Sequence, residues 1–453
     1  MPKKSLLILI LVFIIILLIP FAVLKQVTVK RFVFNAMETS AHSLKWAVHW
    51  GRYHFNPVRW VFAEGKTDIQ IEGGFEGSNV MNIRKVSKNH FEVMMKPDEP
   101  SDYVYPGHML YWFYFKITGA KGETVTIDVV NAEFQPRSWD NYRPVYSYTE
   151  NPNDLSDHNW RMVTQTERFF TTFSFTHTYE SDLAWVASGY PYTYSYLQNY
   201  LRSIKGNPYV DVMTVGHTAE GRNIDIVKIT DSSIPDRKKK SIWITAGEHA
   251  AEKEGSWVAE GIMEFLLSNS PKASSIRKQT VFFIVPLAAP DANYHGRTVN
   301  PHTGFDINHR YEAIPLFKGK KVSMTEETTA IWNTVKDWVN KGDSIDVCIN
   351  LHNSHATTPN VDGMIPEGEE NGLLLHKKIL DNLDNSYTKE TTRLKASVKA
   401  SFPGRCAKEF GSVELYYHLN QHDPGHRLSL EGLKGIGKGF APGILDFYGF
   451  PIK

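Results

Sequence analysis

Cysteine is scarce in this chain of 453 residues, where only Cys348 and Cys406 occur. Two cysteines exclude a disulfide scaffold and a cysteine-rich metal cluster. A bound metal would therefore need histidine and carboxylate ligands, and the chain has 18 histidines to offer.

The chain also lacks an excess of either charge. It has 50 Lys and Arg residues against 49 Asp and Glu residues, which gives a formal net charge of +1. This balance removes the general electrostatic case for nucleic-acid binding, and we expect no nucleic-acid partner. Hydrophobic residues at 42% and charged residues at 22% are ordinary for a folded protein, and the length favours two domains.

The N-terminus carries the one long hydrophobic run. Leu6 to Leu24 are 19 consecutive uncharged residues preceded by Lys3 and Lys4. At about 1.5 Å per residue such a run just crosses about 30 Å of hydrocarbon, and no convincing cleavage site follows it. The sequence therefore predicts a signal anchor or transmembrane helix over residues 1–25 and a juxtamembrane segment over 26–65. We expect the body of the protein to be exported, to a periplasmic or extracellular position.

Residues 66–185 read as a β domain. Segments rich in branched and aromatic residues, separated by Gly, Pro and Asp, recur at 91–95, 110–115, 124–130 and 169–175. Short strands at this spacing, without helices between them, indicate an antiparallel β-sandwich.

Residues 186–453 alternate between strand-like and helix-like segments. Helices are predicted over 194–204, 255–267 and 326–340, and buried strands over 241–245, 282–286 and 345–350. This alternation predicts an α/β fold with a mixed sheet flanked by helices.

The spacing His-x-x-Glu can present an imidazole and a carboxylate to one cation. The chain contains it four times, at His177/Glu180, His217/Glu220, His249/Glu252 and His309/Glu312. His249 and Glu252 follow the carboxyl end of a buried strand and precede a helix, which is where open α/β sheets build their sites.

A third ligand is expected at the end of another buried strand. His352 follows the strand-like run 347–351, and His355 is a competing candidate. Two histidines and one glutamate, with the fourth position open, form a ligand set of catalytic zinc. We therefore expect His249, Glu252 and His352 to hold one Zn²⁺ per chain.

Three further polar residues fit a site of this kind. Arg297 and Asn308 lie in a Gly/Asn/Asp-rich stretch that follows a strand, a usual place for groups that contact ligands. Glu431 ends the apolar run 427–431, which reads as a strand. Near a metal, its carboxylate would act as general base toward water.

The ordered set of His249, Glu252, Arg297, the segment 304–308, His352 and Glu431 resembles the zinc metallocarboxypeptidases. The segments 141–147 and 189–198 are similar to the cytosolic carboxypeptidase subfamily, in which a β-sandwich precedes the catalytic domain. The resemblance covers roughly residues 70 to 450.

The resemblance implies hydrolysis of a C-terminal peptide bond by zinc-activated water, with the C-terminus of a peptide or protein as substrate. His249, Glu252 and His352 would hold zinc, and Glu431 would be the base. Arg297 would stabilise the oxyanion, and Asn308 would bind the substrate's terminal carboxylate.

The sequence departs from the family at the carboxylate-binding position. His309 follows Asn308 where the family has arginine, so Arg310 or Arg405 becomes a candidate for that carboxylate. For the substrate-capping tyrosine the candidates are Tyr416 and Tyr417. Two alternatives to a membrane-anchored carboxypeptidase remain: a zinc-dependent amide deacylase or cell-wall peptide-trimming enzyme, and a non-catalytic peptide-binding surface protein.

Overall fold

The computed structural model of the protein describes residues 67–96, 98, 110–132, 139, 142–157, 159–169, 172–315, 321–353 and 359–452. The predicted anchor (1–25) and juxtamembrane segment (26–65) lie outside these residues, as does His355. Among the helices in this part of the chain, none has both the length and the apolar character needed to cross a bilayer.

The N-terminal half of the described chain is all-β. It forms two five-stranded sheets in the orders β1-β4-β10-β6-β7 and β2-β3-β5-β9-β8. The strands are β1 (Gln70–Glu72), β2 (Met81–Ser87), β3 (His90–Met94), β4 (Tyr114–Thr118), β5 (Thr124–Val129), β6 (Val145–Ser147), β7 (Arg161–Met162), β8 (Gln165–Phe169), β9 (Thr172–Thr178) and β10 (Leu183–Ala187).

The two sheets share one apolar core, as the alternating sequence predicts. In β5 the side chains of Val125, Ile127 and Val129 are fully buried, whereas the intervening residues are more exposed. Phe113, just before β4, stacks on Phe175 of the other sheet with ring centroids 5.9 Å apart. The predicted β-sandwich is present.

Two details of the sandwich differ from the prediction. The strand expected over 110–115 begins only at Tyr114, although Leu110 to Phe113 are buried. The sheets are also not wholly antiparallel, since β3 and β5 pair in parallel. Strand β10 pairs with β4 and β6 and continues to Ala187, past the expected boundary at residue 185.

The C-terminal half is built on an eight-stranded mixed sheet in the order β11-β12-β14-β13-β17-β20-β18-β19. These strands are β11 (Val210–His217), β12 (Asn223–Ile229), β13 (Lys240–Ala246), β14 (Thr280–Val285), β17 (Val347–Asn353), β18 (Val361–Pro366), β19 (Lys389–Leu394) and β20 (Val413–Leu419); β15 (Ile314–Pro315) and β16 (Lys321–Val322) form a separate pair.

Helices cover both faces of this sheet, which confirms the predicted layers. They are α1 (Tyr194–Ile204), α2 (Lys253–Leu267), α3 (Pro271–Gln279), α4 (Pro290–Tyr294), α5 (Glu326–Asn340), α6 (Glu370–Asp381), α7 (Phe402–Phe410) and α8 (Leu430–Tyr448). Along β13, Ile242 and Ile244 join the core beneath α2 and α8, whereas Trp243 joins the core beneath α5 and α7. Successive residues of a strand point to opposite faces, so both faces of β13 need apolar side chains.

Helices α2 and α8 pack with their backbones in close contact, at Gly261 and Gly437. A Cβ atom on Gly261 would lie 2.1 Å from the carbonyl oxygen of Lys434, and one on Gly437 would lie 2.1 Å from that of Val258. The pairing of residue 261 with 434 and of 258 with 437 means that the two helices run antiparallel.

The end of the chain corrects one prediction. Residues 427–429 form no strand, and Leu430 begins α8, whose N-cap is Ser429. Glu431 therefore lies in the first turn of a helix and is exposed. The run 427–431 misleads because its apolar residues Leu428 and Leu430 alternate as they would in a half-buried strand.

Candidate metal centre

Two neighbouring parallel strands place the predicted ligands at one edge of the sheet. Ala246 at the end of β13 pairs with Leu351 of β17. His249 follows β13 by three positions, and His352 lies next to Leu351. Parallel strands end at the same edge, so the two histidines meet although 103 positions separate them.

Glu252 joins the two imidazoles. Its Oε1 lies 3.1 Å from Nδ1 of His249, and its Oε2 lies 2.8 Å from Nδ1 of His352. The three side chains are 12%, 9% and 6% exposed in the order His249, Glu252, His352, so water has little access. All three ligand atoms lie within 4.8 Å of one another, a spacing that suits one metal ion.

The surrounding groups hold these side chains in position. Nε2 of His249 lies 2.9 Å from Oδ1 of Asp306, and the backbone N–H of Asn353 donates to Oε2 of Glu252 over 3.1 Å. A carboxylate on the far nitrogen of an imidazole fixes its tautomer and leaves the other nitrogen free to bind a metal. The donor set therefore fits zinc.

The charges of the cluster are mutually dependent. Burial lowers the pKa of His249, but the carboxylates of Asp306 and Glu252 outweigh it and hold that pKa well above its usual value. Burial raises the pKa of Glu252, but the two histidines outweigh it and keep that pKa well below its usual value. The negative potential that acts on His249 also favours a bound cation.

The buried side chain of Glu248 lies next to the three proposed ligands. Its Oε1 accepts from the Tyr311 hydroxyl over 2.8 Å, and its Oε2 accepts from Nδ2 of Asn350 over 2.9 Å. The same Oε2 lies 3.9 Å from Nε2 of His352. Nδ2 of Asn350 also donates to Oδ1 of Asn308 over 3.0 Å, which ties the predicted substrate-binding residue to this network.

The backbone of Arg297 lies beside the candidate metal site. The carbonyl of the next residue, Thr298, accepts from the N–H of Ala250 over 3.0 Å, directly after His249. The guanidinium points toward the β-sandwich, where it donates to the carbonyl of Lys96 over 3.2 Å.

Two candidates for binding the substrate carboxylate, His309 and Arg310, occupy different environments. His309 has a side chain 46% exposed, with Nε2 3.9 Å from Asp306 Oδ2. Arg310 is only 4% exposed, and its guanidinium carbon lies 4.7 Å from the ring centre of Phe305. Burial lowers the pKa of His309, which favours a neutral imidazole.

Arg405 is committed elsewhere, which corrects its assignment. Its Nε donates to Oε1 of Glu409 over 2.7 Å, another nitrogen donates to the carbonyl of Tyr311, and its guanidinium stacks 3.8 Å from the ring centre of Trp332. These contacts engage Nε and Nη1 of the guanidinium, which disfavours Arg405 as the residue that binds the substrate carboxylate.

The capping candidates are also placed in the interior. Tyr416 is 2% exposed and its hydroxyl lies 2.9 Å from Oγ of Ser401. Tyr417 is fully buried, with its hydroxyl 3.0 Å from Nδ1 of His376. Neither side chain can close over a substrate without leaving the core.

Glu431 lies far from the metal cluster, so the prediction that it is the general base is wrong. Helix α2 starts next to Glu252. In the antiparallel α8, Lys434 packs against Gly261 of α2, and Glu431 lies about one turn before Lys434, still farther from Glu252. At about 1.5 Å rise per residue, Glu431 is roughly 15–20 Å from the ligands along this helix pair.

His418 is a site residue that the sequence analysis missed. Strand β20 is the parallel neighbour of β17, and His418 pairs with His352 in register. The two rings meet edge to face with centroids 6.3 Å apart. Recognising the apolar run 413–419 as a strand would have placed His418 at the same edge of the sheet as the ligands.

Family comparisons agree with this fold and site. The zinc carboxypeptidase family model matches residues 193–393, and the cytosolic carboxypeptidase N-terminal domain model matches residues 71–188. The chain therefore contains a zinc carboxypeptidase domain over residues 193–393. Members of this family are peptide hydrolases, and the matched boundary falls between β10 and α1.

Individual relatives align with more than half of this chain. The chain is 27% identical to cytosolic carboxypeptidase 2 of Xenopus tropicalis over 54% of this chain and 27% of that protein, and 28% identical to cytosolic carboxypeptidase 1 of Mus musculus over 57% of this chain and 24% of that one. These alignments thus span about a quarter of the relatives' length. A metallo-carboxypeptidase from Burkholderia cenocepacia has the same fold, with a TM-score of 0.70 and 20% identity over 84% of this chain and 99% of that one.

Proposed function

We propose that this protein is an active zinc carboxypeptidase that removes C-terminal residues from peptides or proteins. The observation that carries the proposal is the convergence of His249 Nδ1, His352 Nδ1 and the Glu252 carboxylate, with Asp306 behind His249. His249, Glu252 and His352 would hold one zinc ion. When bound, the ion would polarise the scissile carbonyl and make a water molecule more acidic.

The proton acceptor in this proposal is His418. It faces His352 from the neighbouring strand, and its ring is partly exposed, so it can reach both solvent and substrate. An imidazole titrates near neutral pH, which suits the transfer of a proton from water to a leaving amine. Glu431 is too distant for this role.

Arg297 would stabilise the charge that develops on the carbonyl oxygen. Its backbone is fixed beside His249 through the Thr298–Ala250 hydrogen bond, and its side chain would turn from Lys96 toward the substrate. One well-placed donor of this kind is worth about 3 kcal/mol in the transition state.

Asn308 and His309 would receive the terminal carboxylate of the substrate. Asn308 is anchored by Asn350, and the partly exposed imidazole of His309 lies next to it in the chain. Arg310 is buried against Phe305 and would support the turn rather than contact the substrate. An imidazole offers one hydrogen bond where a guanidinium offers two, so we expect weak selection for a free C-terminus.

A panel of peptides with free, amidated and D-configured C-termini tests the proposal. We expect zinc-dependent release of single C-terminal residues from free L-peptides, loss of activity with a chelator, and somewhat slower cleavage of amidated ends. Preferred cleavage of amidated or D-configured ends would instead favour an amide deacylase or cell-wall peptide-trimming enzyme. Peptide binding without turnover at full zinc occupancy would favour a non-catalytic binding protein.

Two variants test the assignment of the base. His418→Ala should retain zinc but lose at least about a hundredfold in kcat, the scale of general base catalysis. Glu431→Gln should retain both zinc and kcat. A fully active His418→Ala variant, or an inactive Glu431→Gln variant with normal zinc content, would contradict the assignment.

Membrane attachment through residues 1–25 remains part of the proposal. It rests on the uncharged run from Leu6 to Leu24, since the relatives' names, which call them cytosolic, describe those proteins. Alkaline carbonate extraction of cell membranes should leave the full chain in the pellet. A chain lacking residues 1–25 should be recovered in the supernatant, and release of the full chain there would refute the anchor.

A further inference from the structure

A second group of histidines and carboxylates lies outside the active site. It combines the turn between β11 and β12 with α4 and the loop that follows α4. Nε2 of His295 lies 2.7 Å from Oε1 of Glu220, and Nε2 of His302 lies 3.1 Å from the same oxygen. His302 Nε2 is also 3.3 Å from Oδ2 of Asp291. Two imidazoles thus converge on one carboxylate oxygen, as they converge on the carboxylate of Glu252 in the active site.

Arg222 neutralises part of the negative charge of the two carboxylates in this cluster. Its guanidinium lies 2.5 Å from Oε2 of Glu220 and 2.6 Å from Oδ1 of Asp291. Glu220 Oε1 and Asp291 Oδ2, the oxygens that do not bind Arg222, both lie near His302, whereas His295 lies within hydrogen-bond distance of both oxygens of Glu220. The backbone N–H of Glu220 also donates to Oδ2 of Asp291 over 3.1 Å, which fixes the two acids relative to each other.

The spacing of these atoms suits a small divalent ion. Ligand atoms at about 2.0–2.1 Å from zinc in a tetrahedron lie about 3.3 Å from one another. His302 Nε2 lies 3.1 Å from Glu220 Oε1 and 3.3 Å from Asp291 Oδ2, close to this value, and ligand atoms of the three residues lie within 4.8 Å of one another. Two carboxylates and one guanidinium leave a net charge of −1, which favours a cation.

We propose that Glu220, Asp291 and His302 form a second metal site that binds a divalent cation, with zinc as the best match. His295 hydrogen-bonds to the Glu220 carboxylate and would position it, and solvent would complete a tetrahedral sphere around the ion. The histidine side chains are 41% and 39% exposed, so an ion reaches them directly from solvent.

A metal ion at this site would restrict the segment 295–302, which contains Arg297. His295 and His302 lie on either side of Arg297 in the chain. The ion would tie His302 to the β11–β12 turn, and the hydrogen bond to Glu220 ties His295 to the same turn. The same segment is attached to the active site through the Thr298–Ala250 hydrogen bond. The second ion would thus restrict the backbone of Arg297 without contacting a substrate.

Metal content after dialysis against dilute zinc tests the second site, and the full chain is used throughout. We expect two zinc ions in the wild type, one in His249→Ala/His352→Ala, one in His295→Ala/His302→Ala and none in the quadruple variant. His217→Ala is the matched control, because this exposed histidine lies on the same turn outside the cluster, and it should retain two ions. A single ion in the wild type and none in His249→Ala/His352→Ala would overturn the second site.

Cobalt(II) spectroscopy gives a readout that does not depend on activity. In His249→Ala/His352→Ala, cobalt should produce the intense visible bands of a tetrahedral site, and Glu220→Gln added to this variant should abolish them. Circular dichroism verifies that each variant is folded. A folded His249→Ala/His352→Ala variant without these bands would overturn the proposed tetrahedral site. Because the active-site ligands are absent in this experiment, its outcome is independent of whether the protein hydrolyses peptides.

Discussion

His249 and Asp306 are 57 positions apart in the chain, yet Nε2 of the imidazole lies 2.9 Å from Oδ1 of the carboxylate. Asp306 also caps the short 3-10 turn Ile307–His309 by accepting from the N–H of Asn308 with the same oxygen, over 3.0 Å. One carboxylate therefore orients a metal ligand and positions the turn proposed to receive the substrate.

Asp306→Asn should weaken zinc binding at the active site. The amide no longer provides the charge that fixes the His249 tautomer, and loss of such a partner typically costs 10–100-fold in affinity, so we expect about that decrease. Chelator competition, carried out in the His295→Ala/His302→Ala background, measures this site alone. Glu312→Gln is the control, because Glu312 lies in the same region and pairs with Lys408. Unchanged affinity in Asp306→Asn would contradict the orienting role.

Zinc should stabilise the folded protein through Glu252. A ligand present at about 1,000 times its dissociation constant adds about 4 kcal/mol to the free energy of unfolding. We expect zinc to raise the thermal midpoint of the His295→Ala/His302→Ala variant and to have little effect when Glu252→Ala is added. Differential scanning calorimetry with and without zinc measures both. An equal shift in the two proteins would exclude Glu252 as a ligand.

His309→Arg should increase selection for a free C-terminus. A guanidinium at this exposed position can form two charge-assisted hydrogen bonds with a carboxylate. We expect KM for peptides with a free C-terminus to fall about tenfold, in line with about 1.5 kcal/mol for one added charged hydrogen bond. KM for amidated peptides should not change. A parallel decrease for both substrates would show that residue 309 does not contact the carboxylate.

Gly261→Ala should destabilise the protein strongly. The added methyl group would lie 2.1 Å from the carbonyl oxygen of Lys434, so α2 and α8 must separate. Overpacking of this kind typically costs about 1–3 kcal/mol in the free energy of unfolding. Gly206→Ala is the control, because no atom lies within 4 Å of its added Cβ. Urea unfolding of both variants measures the difference, and equal stabilities would contradict the close packing.

His376 should make the protein sensitive to acid. Its ring is buried between β18, β20 and α6, and this burial lowers its pKa from 6.5 to about 4. Between pH 6.5 and about pH 4 this histidine is protonated in the unfolded chain but neutral in the folded chain. The free energy of unfolding therefore falls as the pH drops below about 6.5. From pH 8 to pH 5 the loss from this residue is about 2 kcal/mol.

Urea unfolding of wild type and His376→Asn at pH 8 and pH 5 tests this. Whatever the stability of the variant at pH 8, its decrease toward pH 5 should be smaller than that of wild type by about 2 kcal/mol. His217→Asn, at an exposed position, is the matched control and should behave as wild type. Equal decreases in His376→Asn and wild type would refute the assignment.

Local sequence patterns were sufficient for much of the fold. Helices α1 and α5 have the bounds that periodicity predicts, 194–204 and 326–340. The change from clustered strands to alternating strands and helices also separated the two kinds of architecture. These features depend on neighbours within one or two turns, which the sequence records directly.

The histidines proposed to bind zinc could be predicted because each lies at the end of a buried strand, and strand ends are visible in sequence. The proposed base could not, because Glu431 and His418 both lie in short apolar runs that read alike. The pairing of β17 with β20 aligns His418 with His352, and the packing of α8 against α2 places Glu431 near the far end of α2.

The sequence by itself determined the two architectures and the three residues proposed to bind zinc, because alternation, helical period and strand ends are local properties. Tertiary structure alone decided which further side chains accompany them. Asp306, Glu248 and His418 reach the site through contacts between distant segments, and Arg405 and Tyr417 are withdrawn from it by packing. The side chains that meet at a strand end depend on sheet order and register, and these are set by burying both faces of the sheet at once.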